Sequence, residues 1–160
     1  MKGLNKIGSF TIHCPSGVST TIFEASIKYN EDNIPLIVIA GENFGRGSAR
    51  DWATKGPYLL GIRAILALSF SPVYKDNMIK TGLLPIRIDL DSYKKLSGHE
   101  SFEIQMDLEN LEESNEVTIL VDDGDQIIKG RHLLENAYSV ELFRAGGVIR
   151  QTLNRLLQSD

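Results

Sequence analysis

Between positions 41 and 52 the chain reads Gly41-Glu42-Asn43-Phe44-Gly45-Arg46-Gly47-Ser48-Ala49-Arg50-Asp51-Trp52, and this is the stretch whose residue types could do chemistry. Gly45 and Gly47 can adopt positive φ and bring backbone N–H groups close to an anion. A helix starting near Ser48 would add the partial positive charge of its free amides, and Arg50 offers a planar fork suited to a carboxylate. Together these groups would hold a carboxylate or an oxyanion. Ser48 would become an acid–base group only if the same field lowered the pKa of its hydroxyl. The pattern is not a dinucleotide fingerprint, lacks the lysine and spacing of a P-loop, and is not a Gly-x-Ser-x-Gly elbow. On the residues alone a plainer arrangement stays open, with Ser48 as a helix N-cap, the glycines as a turn and Arg50 in solvent.

The elements that must position this stretch are legible as hydrophobic periodicity. Pro35 to Ala40 is an unbroken apolar run rich in isoleucine and valine, the pattern of a strand buried on both faces, and it feeds straight into the glycine-rich stretch. A helix is predicted from Ser48 onward, interrupted or restarted at Pro57, then a second buried strand over 63–68, a helix from about Pro72 to Lys80 ended by Gly82, and a third strand over 84–88. Strands alternating with helices imply parallel strands joined by right-handed crossovers, and the end of such a strand is where ligands bind. Upstream, residues 20–28 carry helical spacing. Downstream, the runs 102–106, 117–121 and 126–128, with Asp122-Asp123-Gly124-Asp125 as a turn, predict an antiparallel portion. Leu142, Phe143, Val148, Ile149, Leu153, Leu156 and Leu157 form the apolar stripe of one closing helix, about 139–157, despite Gly146-Gly147.

Composition narrows the function classes. The chain has 160 residues, 42% of them hydrophobic, enough for one ordinary domain with its own core. Seventeen Lys and Arg against 21 Asp and Glu are scattered along it, so nothing advertises a nucleic-acid footprint. No apolar run reaches the ~20 residues a membrane helix needs, no signal-peptide pattern opens the sequence, and a cytoplasmic protein is expected. Cys14 is the only cysteine, which excludes an internal disulfide and a thiolate cluster built from this chain alone. His13, His99 and His132 lack metal-ligand spacing and are expected in surface or structural roles; the aspartates around Gly124 lack the final glutamate of a calcium loop. Trp52 is expected to pack against the sheet.

The run from Gly41 to Gly56, followed by Leu59-Leu60-Gly61-Ile62-Arg63-Ala64-Ile65, closely resembles the swivel domain of the aconitase and isopropylmalate dehydratase superfamily. The continuation Arg50-Asp51-Trp52-Ala53-Thr54-Lys55-Gly56 is similar to the aconitase A and iron-regulatory-protein branch. Ser69-Phe70, Asn77, Gly82-Leu83-Leu84-Pro85 and the ending 141–149 extend the likeness over most of the chain. The resemblance implies an α/β fold, a swivelling β/β/α domain whose mixed sheet has a parallel βαβ portion, flanking helices and a C-terminal helix, with 1–160 as a single swivel domain.

By position, the same resemblance implies Ser48 as the base that removes a proton α to a carboxylate, and Gly47, Ala49 and Arg50 as substrate-binding residues. It implies a [4Fe–4S] cluster held elsewhere, on cluster-bearing aconitase domains or a large subunit, a hydroxy-di- or tricarboxylate of the citrate and isocitrate type as substrate, and no metal held by this chain. Ala49 stands where the family usually has a second serine, so one side-chain hydrogen bond is lost while its backbone N–H is kept. Neither the Asp-x-Asp type opening of stand-alone small subunits nor the Arg-rich opening of a full swivel domain precedes Gly41, so a fragment or one partner of a split enzyme is expected. The alternative is a non-catalytic carboxylate-binding module or a regulatory, RNA-binding one of the iron-regulatory type. The acidic balance makes nucleic acid the poorer partner.

Overall fold

A computed structural model describes residues 9–47 and 50–158. A short antiparallel hairpin, β1 (Phe10–His13) and β2 (Val18–Thr21), leads into helix α1 (Ile22–Glu31). Thr21 and Glu24 cap that helix reciprocally, each side chain taking the other's backbone N–H. The helix therefore starts two residues later than the spacing over 20–28 predicts, because Thr20 and Thr21 complete β2.

The central sheet has six strands in the order β3-β4-β5-β8-β7-β6. β3 (Leu36–Ala40), β4 (Ile62–Ala67) and β5 (Leu84–Ile88) run parallel, joined by α2 (Trp52–Leu59) and α3 (Pro72–Thr81), as the alternation predicts. β5 pairs antiparallel with β8 (Gln126–His132), which pairs with β7 (Glu116–Val121), itself paired with β6 (Phe102–Gln105). A six-residue helix, α4 (Leu90–Lys95), intervenes after β5, capped by the Asp89 carboxylate. Within β4, Ile65 and Ala67 join a core with Ala40, Tyr74, Met78 and Leu83. Ala64 and Leu66 join the other, with Ile86, Val117, Ile119 and Leu142. This is the two-residue alternation of a strand covered on both sides.

Two expectations are corrected. β3 is half-buried rather than buried on both faces, because it is the edge strand and has a neighbour on one side only. The closing helix is two helices, α5 (Ala137–Ala145) and α6 (Val148–Leu157), separated by Gly146 and Gly147 at φ 76° and 101°. Gly146 ends α5 in the left-handed conformation that a residue with a Cβ avoids. Side chains here would also collide: a Cβ on Gly147 would lie 2.8 Å from the Lys80 carbonyl oxygen, and one on Gly82 would lie 2.7 Å from that of Gly146. The start of α6 is thus pressed onto the end of α3. After this break Gln151 is buried, while Ile149, Leu153, Leu156 and Leu157 are exposed. Among the described residues no helix is long and apolar enough to cross a membrane.

The turn between α4 and β6 carries an acid-sensitive group. The Glu100 carboxylate accepts the backbone N–H groups of Ser97, Gly98 and His99 at 2.5, 2.8 and 3.0 Å. Partial burial pushes its pKa up, but these donors outweigh burial and bring it from 4.5 down to about 2. A depressed carboxylate stabilises the fold above its unfolded value, and that contribution is lost as pH falls from 4.5 towards about 2. Urea midpoints measured between these limits are expected to fall less steeply in Glu100→Gln than in the parent protein.

Candidate functional site

β3 ends at Ala40, and the chain that leaves it is laced to the segment following β4. The backbone N–H of Asn43 donates to Ser69 Oγ at 2.8 Å and that of Phe44 to the Ser69 carbonyl at 2.9 Å. The Ser71 N–H returns a bond to the Phe44 carbonyl at 2.9 Å, forming an isolated parallel bridge between Phe44 and Phe70. These bonds extend the β3–β4 ladder past the strand ends and hold the loop at the carboxyl edge of the parallel sheet. That is the edge where an α/β sheet presents ligand sites.

At Gly45 the loop turns back with φ 82°. A Cβ there would fall 2.1 Å from Cγ of Tyr74, so the backbone lies directly on that buried ring. Phe44 packs edge-on against the same ring at a centroid separation of 5.3 Å and against Phe70 at 6.4 Å. Gly45 therefore has the positive φ expected of it, and the close approach that requires a glycine there is to the Tyr74 ring rather than to an anion. Gly47 has neither: its φ is not positive, and a Cβ would meet nothing within 4 Å among the described residues. The expectation of a positive φ at Gly47 is corrected.

Ser48 and Ala49 lie outside the described residues. Arg50 is exposed, and its carbonyl accepts the Ala53 N–H at 2.9 Å. Arg46 is exposed as well, and neither guanidinium has a carboxylate partner among the described residues. The helix does not begin near Ser48. It begins at Trp52 with Asp51 as N-cap, because the Asp51 carbonyl gathers the N–H groups of Thr54 and Lys55 and the Thr54 hydroxyl, at 2.9 to 3.1 Å. The Asp51 carboxylate turns to Lys55 Nζ at 3.1 Å. Trp52 is 70% exposed rather than packed on the sheet, since Thr54, fully buried, and Ala53 occupy the inward face of α2.

The sequence gives no sign of Tyr74 by itself, no role at the loop for Ser69, and for Pro57 only an expected interruption of the helix. Pro57 does not interrupt α2, which runs through it to Leu59. Proline has no N–H for the carbonyl four residues back, which is that of Ala53. The Tyr74 hydroxyl donates to that oxygen at 3.1 Å. A proline inside a helix pattern announces one such unpaired carbonyl, and this is the only signal in the sequence that leads towards Tyr74.

The histidines divide. His132 is buried, with Nε2 3.0 Å from the Ser114 carbonyl oxygen and Nδ1 accepting the Leu134 N–H, and burial lowers its pKa against the opposing effect of that carbonyl. His13 is buried against Tyr29 and Ser16, and exposed His99 lies with Nδ1 3.8 Å from Cys14 Sγ. An iron–sulfur cluster requires several thiolates. One exposed cysteine beside one imidazole does not fit such a group, and among the described residues no three His, Cys, Asp or Glu side chains converge on a metal position. A concavity of about 470 Å³ between β7 and the residues after β8 is lined by Glu112, Glu113, Glu116 and Glu135, whose charges would repel a carboxylate, and none of the loop residues lines it.

The profile of the aconitase C-terminal domain family matches residues 5–91, more than half of the chain. The chain belongs to the aconitase C-terminal domain family. Among its relatives, phosphinomethylmalate isomerase of Streptomyces viridochromogenes is 36% identical over 157 residues, 96% of this chain and 17% of that protein. Iron-responsive element-binding protein 2 of Xenopus laevis is 33% identical over 98% of this chain and 16% of its own length, and aconitate hydratase A of Escherichia coli is 32% identical over 94% and 18%. This aconitase-type domain thus spans about one sixth of the curated relatives it matches. Among solved structures, 3-isopropylmalate dehydratase (leuD) of Methanocaldococcus jannaschii superposes with a TM-score of 0.61 at 27% identity, covering 88% of this chain and 82% of that one. The mixed sheet with its parallel βαβ portion and flanking helices is the fold shared with that neighbour.

Proposed function

We propose that residues 1–160 form one swivel domain, and that it supplies the serine and arginine side of a hydro-lyase site for reversible dehydration of a hydroxy-di- or tricarboxylate. The observation that carries this reading is the loop at the carboxyl edge of β3: it is fixed by Ser69 and Tyr74 and carries two exposed guanidiniums with no carboxylate partner among the described residues. In this reading Arg50 grips a substrate carboxylate through its fork, with the backbone at Gly47 and Ala49 alongside. Ser48, as its alkoxide, takes the proton from the carbon α to a carboxylate and becomes the neutral hydroxyl. The names of the relatives, aconitate hydratase A and isopropylmalate dehydratase among them, support the reaction class. The cluster that the family resemblance implies belongs to cluster-bearing domains or a large subunit.

Titration calorimetry with citrate, cis-aconitate and isopropylmalate tests the carboxylate site. Binding of at least one of them is expected. Arg50→Ala is expected to weaken it ten-fold or more, the loss of a charge-assisted hydrogen bond being worth about 1.5–3 kcal/mol. Absence of binding to all three would remove the reading.

A further inference from the structure

Tyr74 touches the candidate loop at two places and the start of α2 at a third. Its ring lies under Gly45, where a Cβ would approach Cγ to 2.1 Å, and it packs edge-on against Phe44. Its hydroxyl donates to the Ala53 carbonyl at 3.1 Å, and the N–H of the same Ala53 donates to the Arg50 carbonyl at 2.9 Å. One buried side chain on α3 therefore holds the loop on both sides of the segment that ends in Arg50. Residue 57 is proline and cannot make the ordinary helix bond to the Ala53 carbonyl, which leaves that oxygen to the hydroxyl. Burial raises the pKa of the phenol, so the hydroxyl keeps the proton it donates.

We propose that Tyr74 is a positioning residue for this site: its hydroxyl replaces the helix hydrogen bond that Pro57 removes, and so sets the place of Ala53 and, through it, Arg50. The ring by itself fills the core and supports Gly45. The hydroxyl does the separate work of tying the start of α2 to α3. A core residue with only a packing role needs the ring and not the hydroxyl. The proposal rests on the reading of Arg50 as a carboxylate clamp for its consequence in binding, but not for the bond itself.

Two variants separate these roles. Tyr74→Phe keeps the ring and removes one neutral hydrogen bond. It is expected to preserve the fold while the Ala53 amide, followed by hydrogen exchange, exchanges about five-fold faster and citrate binding weakens by a similar factor. Adding Pro57→Ala to Tyr74→Phe gives residue 57 an N–H for the Ala53 carbonyl and is expected to restore both readouts. An unchanged Ala53 exchange rate in Tyr74→Phe, or failure of Pro57→Ala to restore it, would overturn the assignment. If the parent protein binds no citrate, the carboxylate reading fails while the exchange measurements still decide the role of Tyr74.

Discussion

Gly45→Ala is expected to destabilise the protein by about 3 kcal/mol, read as a shift of the urea midpoint at constant slope. Two costs add at this position. A left-handed conformation costs a residue with a Cβ roughly 1–2 kcal/mol, and Gly45 sits at φ 82°. The new methyl would also fall 2.1 Å from Cγ of Tyr74, a ring 4% exposed in a closed core, so the ring or the loop must move. Overpacking of that kind costs typically ~1–3 kcal/mol. Because α2 hangs from the same ring through its hydroxyl, the displacement reaches Arg50 as well, and carboxylate binding is expected to fall with stability. Gly47→Ala is the internal contrast. With no positive φ and nothing within 4 Å of its Cβ position among the described residues, it is expected to change stability by less than about 0.5 kcal/mol. If Gly45→Ala were as mild as Gly47→Ala, the loop would not be anchored as described.

Much of the frame that carries this loop was legible in the sequence. The succession 35–40, 63–68, 72–80 and 84–88 alternates apolar strands with a helix pattern, and such runs have few other folded uses. What escaped was set by local chemistry that periodicity does not register. The strands of the β1–β2 hairpin have four residues each, too few for a period to show, so only its backbone pairing reveals it. Helix α4 is six residues long and depends on the Asp89 cap. The apolar stripe continues across Gly146 and Gly147 as if one helix ran through, and the break is decided by two positive φ angles and by contact with α3. The start of α2 was ambiguous for a similar reason, since Ser48 and Asp51 are both capping residue types. At the site itself the loop and Gly45 could be read directly. Tyr74 could not, because the bond it makes is set by the packing of α3 beside α2 and appears in the sequence only as an unexplained proline.

That corrected helix start alters where the field at the candidate base comes from. With α2 starting at Trp52 and the Asp51 carboxylate paired to Lys55 rather than capping the helix, the helix end lies further along the chain than a helix starting at Ser48 would place it. The guanidiniums of Arg46 and Arg50 have to supply the difference. Both are exposed in this chain, where water weakens their effect, so the domain by itself is expected to be catalytically silent. Covering the loop with the cluster-bearing portion would exclude water and strengthen the same charges without moving them.

In that assembled state Ser48→Ala is expected to lower kcat by about three orders of magnitude, within the ~10²–10⁴ that a positioned base contributes. Substrate binding should change little, because in the proposed site the gripping groups are Arg50 and the loop backbone. Arg50→Lys should show the opposite division, raising KM through loss of the two-pronged contact while the proton transfer at Ser48 Oγ persists. The split between kcat and KM is what distinguishes a base from a clamp, and steady-state kinetics of the two variants measure it directly. Full activity in Ser48→Ala would remove the base from this loop and leave the domain as a carboxylate holder alone.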